Sequence, residues 1–182
     1  GVQIEPNLVA AMIADVHEEP GALPLLQYAL TEVFERRQDR RLRLADYEAI
    51  GRAAGALARR ADQVFVQLAP VQQAVAQQVF LRLVTLGEGT EDTRRRVERS
   101  ELASVVTDAS TLQEVLDFFG RHRLLSFDRV PDTREPTVEV AHEALLREWA
   151  RLRSWLDLSR EDVRQQRRLA RLASEWQMAG RD

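Results

Sequence analysis

Apolar residues along this chain recur mostly at helical spacing, and the interruptions divide the pattern into segments. "EPNLVAAMIADVHEE" places Pro6 where a first helical turn tolerates it and stops before the breaker pair Pro20–Gly21, which predicts a helix between them. Beyond that pair, Leu23, Leu26, Leu30, Val33 and Phe34 fall on one helical face, and the charged run "ERRQDRR" closes the segment. "LADYEAIG" reads as a short helix or turn. Two further helices are predicted in "ALARRADQVFVQL" and, after Pro70, in "VQQAVAQQVFLRLV", the second with Val75, Val79 and Leu83 on one stripe.

The period then changes. "GEGTEDT" is a loop of glycines and acids, and "RRRVE" reads as a short strand. Ser100 is placed to cap a helix through "ELASVV", and Ser110 or Thr111 to cap one in "STLQEVLDFFGRHR", whose inner face is Leu112, Val115, Leu116 and Phe119. "LLSFD" and "TVEVAH" are strand-like, joined by the proline-containing loop "RVPDTREP". The order helix, strand, helix, helix, strand, loop, strand predicts a winged helix-turn-helix. After it come two amphipathic stripes, Leu145, Trp149, Leu152 and Leu156, then Leu169, Leu172, Ala173 and Trp176, with Trp149 and Trp176 read as core. The expected fold is mainly α: a helical bundle over residues 1–68, a winged helix with a small antiparallel sheet over 69–142, and a C-terminal helical arm over 143–182.

Composition narrows the chemistry. At 182 residues, 45% hydrophobic and 30% charged, the chain is globular rather than disordered. No apolar stretch approaches membrane-spanning length and no basic-then-apolar leader is present, so no membrane partner and a cytoplasmic location are expected. The absence of cysteine excludes disulfides and thiol chemistry. All 26 basic residues are arginine. A P-loop requires a lysine on the terminal phosphates, and Schiff-base chemistry requires one as nucleophile, so neither resides here. No catalytic residue and no metal site are expected. A net charge of −3 gives no general pull toward nucleic acid. Helical patterns run to both ends, the expectation for a piece of something longer.

His142 stands out at the junction of a strand-like and a helix-like run. The dipeptide His142-Glu143 suggests a zinc motif, but H-E-x-x-H needs a second imidazole one turn later and Leu146 stands there. A period of two places Val138, Val140 and His142 on one strand face. Two readings follow. One is a core histidine satisfied by backbone. The other is an imidazole at a helix start, where free N–H groups and the helix dipole admit an anion. Pro24, in "EPGALPLLQYAL", is adequately explained as a first-turn proline.

Taken together, "GALPLLQYAL" and "LLSFD…TVEVAHEALLREWARLRSWL" resemble the G-x-P and histidine-bearing winged-helix segments of STAND-class ATPases, signalling relatives of AAA+ proteins. The bacterial branch often followed by WD or other repeats is the most similar. "FLRLVTLGEGTEDTRRRVERSEL" also fits that branch, so the resemblance spans nearly the whole chain. It implies a small helical lid and a winged helix placed after a P-loop core. It further implies Pro24 beside the adenine and His142 on the phosphates of ADP, a regulatory module that holds the switch closed and is inert alone. No cofactor is implied within this stretch, but ADP or ATP with Mg is implied in the full-length protein. The implied partners are the upstream ATPase core and a downstream repeat or sensor domain, and the resemblance allows a homo-oligomer on activation. One departure is visible: the usual glycine two before the proline is Ala22 here, and Gly21 lies three before.

A competing reading is the DNA-binding winged helix of a transcriptional regulator. Glu114 and Asp117 on the helix at 111–123, with Arg121 and Arg123 only at its end, argue against it. The arginines at 94–96 and in the wing remain as the one possible basic patch. His17 and His122 read as surface or helix-end residues, and "REDVRQQRR" as a solvated face.

Overall fold

The computed structural model describes residues 1–18, 23–37, 39–87, 89–104, 106 and 108–162, with side chains for all of these except 16–18 and 23–25. The stripe at 169–176 and the run "VRQQRR" lie outside the described residues. The fold is mainly helical with small sheets. Helix α1 (Pro6–Glu18) and helix α2 (Leu23–Arg36) pack with α3 (Leu44–Ala49) and α4 (Arg52–Val66). A two-residue strand β1 (Gln3–Ile4) pairs in parallel with β2 (Arg41–Leu42). Nothing in the local pattern announces so short and distant a pairing.

Periodicity found these helices but misplaced part of one face. In α2, Ala29 and Val33 are buried, whereas Leu30 and Phe34 are 37% and 44% exposed. The inward stripe therefore runs through the small Ala29, and the larger Leu30 and Phe34 turn outward. Between α3 and α4, Gly51 adopts φ 69°, a left-handed conformation that favours glycine. Gly55 lies just inside α4, where an added Cβ would fall 2.7 Å from the Ile50 carbonyl oxygen. Tyr47, fully buried under α1, donates to Asp15 Oδ2 at 2.6 Å, and Arg52 pairs with the same carboxylate at 3.0 Å.

Helix α5 (Pro70–Arg82) follows, with Pro70 at its first position and Ala76, Val79 and Phe80 buried. The expected strand in "RRRVE" is two strands. β3 (Val84–Thr85) pairs antiparallel with β4 (Thr93–Arg94), and β5 (Val97–Glu98) joins a second sheet. Between them Asp92 accepts from the Gly87 N–H at 2.9 Å and binds the Arg160 guanidinium, tying the acidic loop to the last described helix. Helix α6 (Arg99–Ala103) begins after Glu98, so Ser100 is inside it and does not cap it. Helix α7 (Ala109–Arg121) is capped by Asp108, not by Ser110 or Thr111. Those two hydroxyls, with the Ser110 N–H, instead donate to the Asp108 carboxylate. These bonds hold the carboxyl down at about 2, against an ordinary 3.8. The face Leu112, Val115, Leu116 and Phe119 is buried as its spacing predicts.

Strands β6 (Leu125–Arg129) and β7 (Pro136–Val140) pair antiparallel with Leu125 opposite Val140, and β5 pairs on the other side of β7. The sheet order is thus β5–β7–β6. Helix α8 (Ala144–Glu148) is five residues long, and the chain turns at Trp149 (φ −79°, ψ 97°) before helix α9 at 150–162. The single amphipathic helix expected there is broken, yet Leu145, Trp149, Leu152 and Leu156 are all buried. The turn aims the Trp149 indole inward, 5.0 Å from the Phe80 ring and 6.3 Å from Phe65, with Phe119 completing the cluster 5.0 Å from Phe80. Its N–H donates to Asp62 on α4, which Arg151 also binds. One aromatic cluster therefore joins α4, α5, α7 and the C-terminal segment. No helix among the described residues is long and apolar enough to cross a membrane.

Candidate functional site

The exit from β7 is where sequence placed its candidate. Val140 is the last strand residue, and the Ala141 N–H donates to the Leu124 carbonyl at 3.0 Å. His142 comes next, two residues beyond the last strand residue and half-buried. Leu125 stands opposite Val140 and the Ala141 N–H meets Leu124, after which the ladder ends, Arg123 turning away with φ 55°. The Arg123 backbone lies close enough to the imidazole to favour its protonated form slightly.

The helix that follows does not supply the anion site its start suggests. Five residues carry little macrodipole, and the Leu145 and Leu146 N–H groups already bond the carbonyls of His142 and Glu143. What faces His142 is instead Arg94, delivered from the far end of the β3–β4 hairpin. The Arg94 guanidinium pairs with Glu143 (Nε to Oε2 3.0 Å) and donates through Nη1 to the carbonyls of Val140 (3.2 Å) and Ala141 (3.4 Å).

Electrostatics at this ring follow from those contacts. Burial, chiefly, and the neighbouring Arg94 charge push the His142 pKa below its ordinary 6.5, while the Arg123 backbone acts the other way. With its pKa lowered, the imidazole is neutral at neutral pH and carries one N–H and one acceptor nitrogen. A second donor appears only on protonation. Arg94 and a protonated His142 would together present donors to a phosphate; a neutral His142 offers one N–H fewer.

Pro24 is the second residue of α2, where its missing N–H would have no intrahelical partner. Its ring lies outside the described side chains, as does that of His17, and Gly21 and Ala22 lie outside the described residues. The element carrying Pro24 packs on α3 and α4, whereas His142 lies against Arg94 and Arg123. Among the described residues no group of His, Asp and Glu is arranged to hold a metal ion.

The basic patch that a DNA-binding reading needs is neutralised. Arg94 pairs with Glu143, Arg95 makes two bonds to Glu101 (2.9 and 3.0 Å), and Arg96 bridges Asp128 and Glu139. The outer face of α7 presents Glu114 and Asp117, which accept from Gln72 and Gln113. Such a face repels phosphates.

A family model described as Novel STAND NTPase 1 matches residues 1–182. The chain belongs to the nSTAND1 family. The STAND-class resemblance seen in the sequence is thus borne out at the level of the family. No curated protein and no solved structure matches the chain significantly. Within this nSTAND1 chain, Arg94 and Glu143 are the site members that residue patterning missed as such. Arg94 appeared only as part of a basic run, because its approach to His142 depends on the pairing of β3 with β4.

Proposed function

We propose that this nSTAND1 chain is the lid and winged-helix module of a nucleotide-controlled switch, with residues 1–68 as lid, 69–142 as winged helix and 143–182 as an arm. In this reading His142 senses the phosphates of ADP bound to an upstream P-loop core and holds the switch closed. The observation that supports it is the order α5, β5, α6, α7, β6, β7, interrupted after α5 by the separate β3–β4 hairpin, with β7 central in the sheet order β5–β7–β6. Leaving that hairpin aside, this order is consistent with a winged helix, in which β6 and β7 would flank the wing. Its last strand ends beside His142 and Arg94.

The residues present suit a phosphate and nothing more of a nucleotide. Arg94, with His142 once protonated, would meet it; Pro24 would lie on the adenine side; no described group here would hold Mg, which would fall to the core. The nucleotide supplies the anion that distinguishes the closed state. The chain contributes recognition and performs no turnover, since without lysine it cannot complete a P-loop. WD-type repeats or another sensor downstream, and self-association on opening, complete the proposal.

ADP release from the NTPase that carries this chain tests the reading. A charge-assisted bond of this type contributes about 1.5–3 kcal/mol, so His142→Ala should speed ADP release roughly ten- to a hundredfold. An unchanged off-rate, together with a sharp loss of stability in the isolated chain, would assign His142 to the core and overturn the proposal.

A further inference from the structure

His122 was expected to be a simple helix-end residue. It does end α7, but it also bridges to the N-terminal bundle. Its backbone carbonyl accepts from the Tyr28 hydroxyl of α2 at 2.7 Å. Its ring nitrogen Nδ1 lies 2.9 Å from Arg60 Nη2 of α4. Its ring stands edge-on to Phe118, 5.0 Å between centroids. Helix α7 packs chiefly on α5 and β6, so these bonds add a polar link between the bundle and the end of α7 beside the aromatic cluster.

The chemistry of the pair fixes its protonation. A guanidinium has only donors and keeps its charge, so Nδ1 must be the acceptor and the ring is neutral with its proton on Nε2. Arg60 is offered no carboxylate by any described contact, and its Nε is buried without a partner. The charged and titratable groups facing the ring are Arg60 from α4 and Arg121 from α7, both cationic, with the neutral Tyr28 phenol from α2 on the carbonyl side. An imidazolium here would lose its acceptor and set a third positive charge against Arg60 and Arg121.

We infer that His122 is a proton-released latch on α4: neutral, its ring holds Arg60 to the end of helix α7; protonated, it releases Arg60 and loosens this edge of the bundle. The Tyr28 bond to its carbonyl and the aromatic core stay in place. Burial first, then Arg60 and Arg121, hold its pKa below the ordinary 6.5, in keeping with this arrangement. The sign is that of a depressed base. The latch is fully engaged above the ordinary value and is lost as pH falls through the lower pKa of the closed form. Between the two, the open-to-closed ratio should rise about tenfold per pH unit. The inference requires no nucleotide and stands apart from the His142 reading.

The chain has no cysteine, so two can be introduced cleanly for spin labels, Ala45→Cys on α3 and Ala109→Cys at the start of α7, both exposed. At about pH 8 the label-to-label distance distribution should be narrow. On acidification toward about pH 5 it should broaden, with a midpoint below 6.5. His122→Asn places an amide oxygen near the position of Nδ1 and cannot titrate, and it should remain narrow throughout. A variant that is broad at every pH also supports the latch, because loss of the acceptor has opened it. The inference is overturned if the unsubstituted chain keeps one distribution from pH 8 to 5, or if variant and parent broaden alike. It is also overturned if the His122 ring, followed by NMR in the parent chain, titrates at or above 6.5.

Discussion

Phosphate binding at His142 should be coupled to proton uptake, and this is the sharpest consequence of the site's geometry. Without an anion the ring is neutral, because burial and Arg94 disfavour its charge, and it carries a single N–H. A phosphate arriving beside Arg94 offsets that positive charge and rewards a second ring N–H, so the ring's pKa rises in the complex. If the bond gained is worth about 1.5–3 kcal/mol, the rise is roughly one to two pH units, since one unit is about 1.36 kcal/mol. ADP affinity should then weaken about tenfold per pH unit across the interval between the free and bound pKa values. The perturbation is His142→Gln, which keeps an amide N–H donor but does not titrate. The assay is calorimetric titration of ADP into the P-loop protein carrying this chain, in two buffers of different ionisation enthalpy near neutral pH. The difference between parent and variant cancels the titration of the nucleotide itself. The parent should take up a fraction of a proton that the variant does not. Equal proton uptake, or affinities with the same pH slope, would refute the mechanism even if His142 touches the phosphate.

Three further outcomes concern the scaffold. Tyr47→Phe removes a buried donor from Asp15 while leaving Arg52 on that carboxylate; chemical denaturation should show a loss of about 1.5–3 kcal/mol. Burial, and then the bond to Asp15, raise the Tyr47 pKa above its ordinary 10.0, so parent stability should also fall above that pH, and more steeply than in the variant. Gly55→Ala should destabilise by about 1–3 kcal/mol despite alanine's better helix propensity, because the new Cβ meets the Ile50 carbonyl; a rise in melting temperature would show that this turn yields. Asp108 stabilises α7 above its unfolded value of 3.8, and that contribution should vanish as pH falls through about 2. Asp108→Asn keeps a capping oxygen and should flatten this acid limb of the melting curve.

How much of this was legible in sequence depends on whether the deciding contact is local. The buried face of α7 and the helices α1, α3, α4 and α5 follow from a 3.6-residue period, and they are where the pattern puts them. The errors have two causes, a helix start misplaced by two or three residues and contacts made far away in the chain. Whether Ser110 or Asp108 caps α7 depends on where the first turn begins. Whether Leu30 faces in depends on what α3 and α4 leave room for. Trp149 breaks its helix with no glycine or proline to announce it, because the gain is an indole packed among Phe65, Phe80 and Phe119, far away in the chain.

The two histidines carry the same lesson in opposite directions. His142 was visible because strand and helix patterns meet next to it, but its chemistry was not, since Arg94 and Arg123 reach it through strand pairings. Of these, the nearness of Arg123 could have been foreseen in part: once Leu125 is set opposite Val140, the residues just before β6 come beside those just after β7. His122 had no such rule. Its partners Tyr28 and Arg60 come from two helices of another part of the chain, placed by packing alone. A register can be propagated residue by residue from a single pairing, whereas a helix–helix contact must be found whole. For that reason the ring beside β7 could be singled out from sequence, and the ring that ends α7 emerged only from the fold.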